Sequence, residues 1–208
     1  GVTLVIGVPL LLSGKPQLPK GVFGSGLLYF ACIGTGFMMV QIPLIQRFSV
    51  YLGHPVYAVS VLLFSMIIAA GLGSSLSDRI AVERDRRWTL ALPLSIVALI
   101  SAIYLLSGPI IQATIDQGLL VRCVIVVLLV ATAALPMGMC FPLGLRLFRQ
   151  YSDDCLPWMW GVNGATGVLA SVLAVAISMW SGINTSLLVA IGCYALLIVP
   201  ARALSKQH

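Results

Sequence analysis

Residues 119–143 read LLVRCVIVVLLVATAALPMGMCFPL, a stretch in which Arg122 is the one charged residue. A helix needs about 20 mostly apolar residues to cross the roughly 30 Å hydrocarbon core of a bilayer. The stretch meets this length, and it lacks the alternation of apolar and polar residues that is typical of strands in membrane β-barrels. It therefore predicts a membrane-spanning α-helix.

The same pattern recurs along the chain. Five further runs of sufficient length lie at 24–45, 55–75, 88–111, 158–180 and 185–201. A shorter apolar run at 1–12 is interpreted as the end of a helix that starts earlier in a longer protein. Because backbone groups cannot stay unpaired in lipid, all these runs are expected to be helical. We predict an all-α polytopic transmembrane helix bundle, with six full spans and a partial N-terminal span, in one domain over residues 1–208.

The overall composition is that of a protein built for lipid. Hydrophobic residues make up 60% of the 208 residues and charged residues 9%, whereas a soluble domain carries about 25% charged residues. The net charge of +6 would suggest nucleic acid as the partner of a soluble protein. Here the basic residues lie in short loops, so the sequence predicts contact with a lipid bilayer and none with nucleic acid.

The basic residues are divided unequally between the two sides of the predicted bundle. Six spans place two of the twelve basic residues, Arg47 and Arg122, on one side and the remaining ten on the other. Positively charged loops stay in the cytoplasm. The sequence therefore predicts a bacterial inner membrane protein with its C-terminus in the cytoplasm. The ten are Lys15, Lys20, Arg79, Arg84, Arg86, Arg87, Arg146, Arg149, Arg202 and Lys206.

No catalytic or metal-binding constellation is evident in the sequence. All six acidic residues lie in predicted loops, so no span offers the buried carboxylate that marks many proton-coupled carriers. The five cysteines are scattered, without the CxxC pairs typical of zinc sites or haem attachment. We expect no enzyme activity, no cofactor and no metal.

Polar residues near the end of the first span are candidates for a cavity or a partner contact. Gln41 lies deep in that span, two residues before Pro43, which can kink a helix. It could line a cavity or bond a neighbouring helix. Gln46, Arg47 and His54 follow at the membrane surface, where they could form a polar mouth or contact a partner. His54 precedes a proline in a short loop, which favours a cap or turn role over a ligand role.

Small residues recur every three or four positions in the fifth span and again in the second. Such spacing lets another helix approach closely, so it predicts tight helix packing. Asn163 lies among them and could bond across the packed face, which is the favoured interpretation, or touch a ligand. The packing candidates are Gly161, Gly164, Gly167 and Ser171 in the fifth span and Gly73 in the second.

The fourth span ends in a cluster of helix-breaking residues, Pro136, Gly138 and Pro142. The cluster predicts a broken helix end. Discontinuous helices occur at transport sites, but they also occur where a helix bends around its neighbours, and the bend is the favoured interpretation.

Four blocks between residues 30 and 178 read FACIGTGFMMVQIPLIQRF, YLGHPVYAVSVLLFSMIIAAGLGSSLSDR, LPMGMCFPLGLR and PWMWGVNGATGVLASVLAVAIS. In content and order they resemble the membrane region of bacterial spermidine synthase-like membrane proteins. In that family the helices are often joined to a soluble aminopropyltransferase-like domain that binds an S-adenosyl group. The chain has no glycine-rich strand-to-helix turn followed by an acidic residue, so the resemblance implies the membrane region without the activity. It also implies that Gln41 replaces a glutamate usual in the family.

The loop after the second span, SSLSDR, is similar to part of the GxLaDRxGRR loop of major-facilitator transporters. Asp78 and Arg79 match its Asp-Arg pair, and the loop lies between the second and third spans, as in that family. Ser74 stands where the first glycine is expected, and the later Gly-Arg-Arg is spread over residues 80–87. Six helices would equal half of that fold.

Three functional interpretations follow. The favoured one is a non-catalytic membrane module that anchors or scaffolds other membrane subunits of a larger complex. The second is a transporter, or half of one, for a small organic solute. The third is the membrane part of an aminopropyltransferase-like enzyme whose catalytic domain lies outside this chain.

Overall fold

The computed structural model describes residues 21–80, 87–149, 151 and 155–205. These residues form helices joined by short turns, and no strand is found in the part of the chain described. The helices are α1 (Val22–Leu52), α2 (Pro55–Ser77), α3 (Trp88–Thr114), α4 (Leu119–Arg149), α5 (Leu156–Ser181), α6 (Ile183–Leu196) and α7 (Ile198–Ser205).

Six helical segments are long and apolar enough to cross a membrane, the last being Ile183–Ala203, which joins α6 to α7. The predicted all-α bundle with six full spans is therefore confirmed, and the architecture is that of a multi-pass membrane protein. The predicted partial span at 1–12 lies outside the described residues.

Two of the helices are longer than the apolar runs that predicted them. The run at 24–45 becomes α1 and the run at 119–143 becomes α4, each of 31 residues. A helix of that length extends about 46 Å, well beyond the roughly 30 Å hydrocarbon core. The extra turns hold Arg47 and Arg146, which can therefore lie at the membrane boundary without breaking either helix.

The broken end predicted for the fourth span is wrong, because α4 runs without interruption through Pro136 and Pro142. A proline removes one backbone hydrogen bond from a helix. Ending the helix within the hydrocarbon would leave several backbone groups unpaired, each at a cost of several kcal/mol. The continuous helix is therefore the less costly arrangement.

Helix α1 lies at the centre of the bundle and packs against α2, α4, α5, α6 and α7. In its most apolar stretch 56% of the residues are buried, whereas the corresponding value for α5 is 17%. Contacts between helix ends show that successive spans are antiparallel: Arg122 near the start of α4 bonds Tyr51 near the end of α1, and Arg146 near the end of α4 bonds Ile80 after α2. The bundle therefore has an Arg47 end, where α1 finishes, and an Arg146 end, where α2 and α4 finish.

The turn between α1 and α2 reverses the chain at the Arg47 end. Gly53 follows α1 with φ of 81°, a left-handed conformation that glycine adopts without a steric penalty. The side chain of His54 then caps α2, because its Nδ1 accepts a hydrogen bond from the backbone N–H of Val56 at 3.2 Å. Pro55 occupies the first position of α2, where no backbone donor is needed.

Candidate functional site: a lateral cleft and two polar helix ends

Arg47 connects three helices at the Arg47 end of the bundle. From α1 its guanidinium donates hydrogen bonds to the Ser107 hydroxyl on α3 and to the Asn184 side-chain oxygen on α6. The side chain is half-buried. Both bonds lie within the bundle. The polar mouth or partner contact expected for Arg47 stays a prediction.

A second set of bonds connects α1 to α3 and α4 at the same end. The Tyr51 hydroxyl bonds the Thr114 hydroxyl at 2.6 Å. Arg122 donates from Nη1 to the Tyr51 carbonyl oxygen at 2.8 Å, and its guanidinium carbon lies 5.9 Å from the centre of the Tyr51 ring. In the sequence Arg122 serves only as a marker of topology, because nothing there pairs it with Tyr51.

The other polar candidates at this end differ in their surroundings. Gln41 is buried, with 8% of its surface exposed. The Oε1 atom of Gln46 is buried and has no hydrogen-bond partner among the described residues. His54 is exposed and caps α2, which agrees with its predicted role as a cap or turn residue.

At the opposite end, Arg146 of α4 holds the loop that follows α2. Its Nη2 donates to the carbonyl oxygens of Ser77 and Ile80, the latter at 3.1 Å. Ser77 is the last residue of α2 and Ile80 lies just beyond it. A cation is favourable at the C-terminal end of a helix, where carbonyl oxygens are not all paired within the helix. Asp78 and Arg79, which carry the similarity to a major-facilitator loop, are both exposed.

A cleft of about 330 Å³ lies between α1, α4 and α5. Exposed Gly164 and Val168 are among its lining residues, so the cleft opens at the outer surface of the bundle. Phe141 contacts the ring of Trp160 edge-on at 4.5 Å, and 59% of the Trp160 surface is exposed. Apart from Asn163 and Ser171, the lining residues are apolar or glycine. The full lining comprises Ile33, Gly34, Phe37, Met38, Met137, Gly138, Phe141, Asn163, Gly164, Gly167, Val168 and Ser171.

Asn163 is the most polar residue in this lining. Its Oδ1 is buried and, among the residues described, has no hydrogen-bond partner. The favoured prediction, that Asn163 bonds another helix across a packed face, is therefore wrong for the Oδ1 atom. The backbone beside it does pack, because a Cβ atom added to Gly34 of α1 would lie 2.3 Å from the Asn163 carbonyl oxygen.

The small residues of α5 lie in two different surroundings, an open cleft and a packed helix contact. The close packing predicted for Gly164 is wrong: the residue is exposed, and an added Cβ would have no atom within 4 Å. The reason is that this side of α5 faces the cleft. Gly167 is buried, and an added Cβ would lie 3.7 Å from the Gly34 carbonyl oxygen. Gly161 is half-buried. Ser171 also lines the cleft and donates to the Val168 carbonyl oxygen at 2.8 Å.

Charge and metal-ligating groups are not part of this cleft. No charged residue lines it, and no group of three or more His, Cys, Asp or Glu that could hold a metal occurs within the described ranges. All five cysteines are free thiols; Cys32, Cys140 and Cys155 are buried, and Cys123 and Cys193 are half-buried. The cleft therefore offers shape, apolar contact, the Asn163 amide and the Ser171 hydroxyl.

Comparison with known proteins adds no assignment. No family model matches the chain, and no match is found among curated proteins or among solved structures.

Proposed function

We propose that this chain is a non-catalytic membrane module that acts as an anchor or scaffold subunit of a larger membrane complex. The observation that carries the proposal is the position of Arg47, whose guanidinium bonds α3 and α6 from the central helix α1. A module that holds partner subunits in fixed positions needs helices that do not move relative to one another. A carrier must instead let some of its helices move between two arrangements.

The closest helix crossings support the same role. A Cβ atom added to Gly73 of α2 would lie 1.9 Å from the Leu135 carbonyl oxygen, and one added to Gly138 of α4 would lie 2.1 Å from the Ala70 carbonyl oxygen. The two backbones therefore touch at two successive places. Such close contacts resist sliding of one helix along the other, because side chains nearby would collide with backbone.

The position of the acidic groups also favours a module over a proton-coupled carrier. The six spanning helices are all described, and none of them contains an Asp or Glu. Asp78 and Asp116 are exposed and lie in the turns after α2 and α3. A carboxylate within a span is the usual proton carrier of such transporters.

The expected partners are the lipid bilayer and other membrane protein subunits. Large apolar side chains cover the outside of the bundle, among them Phe64 at 69%, Leu120 at 82% and Trp180 at 87% exposed. A bacterial inner membrane with the Arg146 end in the cytoplasm is part of the proposal, because the described basic residues Arg79, Arg87, Arg149 and Arg202 lie at that end. Kinship with spermidine synthase-like membrane proteins is also part of it and rests on the sequence blocks.

The test is the composition of the complex extracted from its own membrane. The tagged chain is expressed at its natural level, extracted with a mild detergent and weighed by native mass spectrometry. We expect one or more membrane subunits to accompany it at near-unit stoichiometry. A chain that is recovered alone, folded and active in solute uptake would contradict the proposal.

A second candidate is a transporter for a small organic solute, which the cleft beside Asn163 favours. The substitution Gln41→Leu distinguishes the two functions, since Gln41 is the buried polar side chain of the central helix. The scaffold proposal expects unchanged recovery of the complex. Loss of uptake, with folding and recovery preserved, would favour the transporter.

A further inference from the structure

The cleft between α1, α4 and α5 has the features of a binding site that is entered from the lipid. We propose that it binds one neutral, lipid-soluble molecule that carries a hydrogen-bond donor, as the hydroxyl of a long-chain alcohol does. This inference goes beyond the scaffold role and does not depend on it, because it uses the lining of the cleft alone.

The size of the cleft suits a small molecule. Its volume of about 330 Å³ falls at the lower end of the range for small-molecule sites, about 300–1,000 Å³. A cleft of this size accommodates an apolar chain or ring.

The polarity of the lining determines the chemical class of the ligand. Apolar contacts come from all three helices, for example from Phe37, Met137 and Val168, and no charged side chain lines the cleft. An ionic ligand would lose its hydration without gaining a counter-charge, at a large cost. The ligand is therefore neutral and largely apolar.

Asn163 supplies the one specific polar contact. Its Oδ1 is buried and has no partner among the described residues. An amide left unpaired in an apolar medium costs several kcal/mol, so a ligand hydroxyl that donates to this oxygen would be strongly favoured over a hydrocarbon of the same shape. The asparagine therefore selects an alcohol rather than an alkane.

The position of the cleft determines the route of entry. Asn163 lies seven residues after the start of α5 at Leu156, a depth of about 10 Å along the helix axis. The exposed residues Gly164 and Val168 place the opening on the side of the bundle, which faces lipid. A ligand that is dissolved in the membrane reaches this opening directly, whereas a water-soluble one does not.

The experiment uses the full chain in phosphatidylcholine nanodiscs and a sixteen-carbon alcohol that carries a photoreactive diazirine. After illumination, the labelled peptides are identified by mass spectrometry. We expect saturable labelling of residues 137–141 and 163–171, which the non-photoreactive alcohol displaces and the matching alkane does not. Labelling that neither saturates nor concentrates in these segments would overturn the proposal.

Two glycines provide a matched pair of variants. Gly164 in the cleft and Gly71 on α2 are both exposed, and an added Cβ at either position meets no atom within 4 Å. Both leucine variants should therefore fold. Gly164→Leu fills the cleft and is expected to reduce labelling about tenfold or more, whereas Gly71→Leu leaves labelling unchanged. Equal labelling in the two variants would contradict the site.

Asn163→Leu tests the hydrogen bond separately from the shape. The variant keeps a side chain of similar size, and it is expected to remove the roughly fivefold or greater preference for the alcohol over the alkane. Residual apolar binding without that preference is the expected result. A preference that survives the substitution would show that Asn163 does not contact the hydroxyl.

Discussion

Gly73 of α2 lies against the backbone of Leu135 of α4, so that a Cβ atom at Gly73 would be 1.9 Å from the Leu135 carbonyl oxygen. Real Cβ atoms do not approach an oxygen so closely, and α4 would have to move to admit one. The reciprocal contact of Gly138 with the Ala70 carbonyl oxygen lies nearby on the same pair of helices. The two glycines together determine how closely α2 and α4 pack.

We expect Gly73→Leu to destabilise the bundle. Forcing a side chain into this crossing separates two helices and leaves gaps around it, at a cost of about 1–3 kcal/mol or more. The measurement is the apparent melting temperature in detergent, followed by the accessibility of the buried thiol of Cys140 on α4 to a maleimide.

Gly71→Leu is the control for this change, because Gly71 lies two residues earlier on the same helix with open space around it. Both variants alter helix propensity by the same amount. An equal drop in melting temperature in the two variants would mean that the crossing contributes nothing.

Arg146→Gln tests the bond between α4 and the end of α2. The substitution removes a charged donor from the carbonyl oxygens of Ser77 and Ile80, and hydrogen bonds of this kind contribute about 1.5–3 kcal/mol. We expect a lower apparent melting temperature than in the parent. Arg79→Gln, at an exposed position in the same loop, serves as the control and should change the value little.

The hydrogen bond between Arg47 and Ser107 is suited to a double-mutant cycle. Arg47→Met and Ser107→Ala each remove one partner of the bond between α1 and α3. We expect each single variant to lose stability and the double variant to lose less than their sum, with a coupling of about 0.6–2 kcal/mol. Fully additive losses would show that the two side chains do not interact.

The orientation of the chain can be checked with two exposed positions at opposite ends. Arg79→Cys lies in the turn after α2 and Asp116→Cys in the turn after α3. A membrane-impermeant maleimide added to intact cells should label the cysteine at 116 and not the one at 79. The parent, with its five native cysteines, gives the background signal. The reverse pattern would contradict the cytoplasmic assignment of the Arg146 end.

Much of the fold could be predicted because each span is a local property of the chain. The apolar runs at 55–75 and 88–111 correspond closely to α2 and α3, since apolar length alone decides whether a segment crosses lipid. The extent of α1 and α4 was underestimated, because their last turns hold polar residues that leave the hydrocarbon. The role of His54 was predictable from its place before a proline.

The candidate site was predicted less well, because the spacing of small residues indicates close packing but does not show which helix packs against each of them. Gly73 does lie at a close crossing, but Gly164, with the same spacing pattern, faces an open cleft. Nor does a sequence show which residues meet between distant spans. The contacts of Arg122 with Tyr51 and of Arg146 with Ile80 join positions far apart in the chain.

The sequence by itself determined that this protein is built for a lipid bilayer and how many of its helices can span one. The reason is that transfer of an apolar segment into lipid depends only on that segment's composition and length. Tertiary structure alone decided which glycines touch a neighbouring backbone, which arginines bond across helices, and that α1, α4 and α5 leave a cleft beside Asn163. These features depend on the rotation and spacing of helices that pack together, and the side chains of several distant segments determine both jointly.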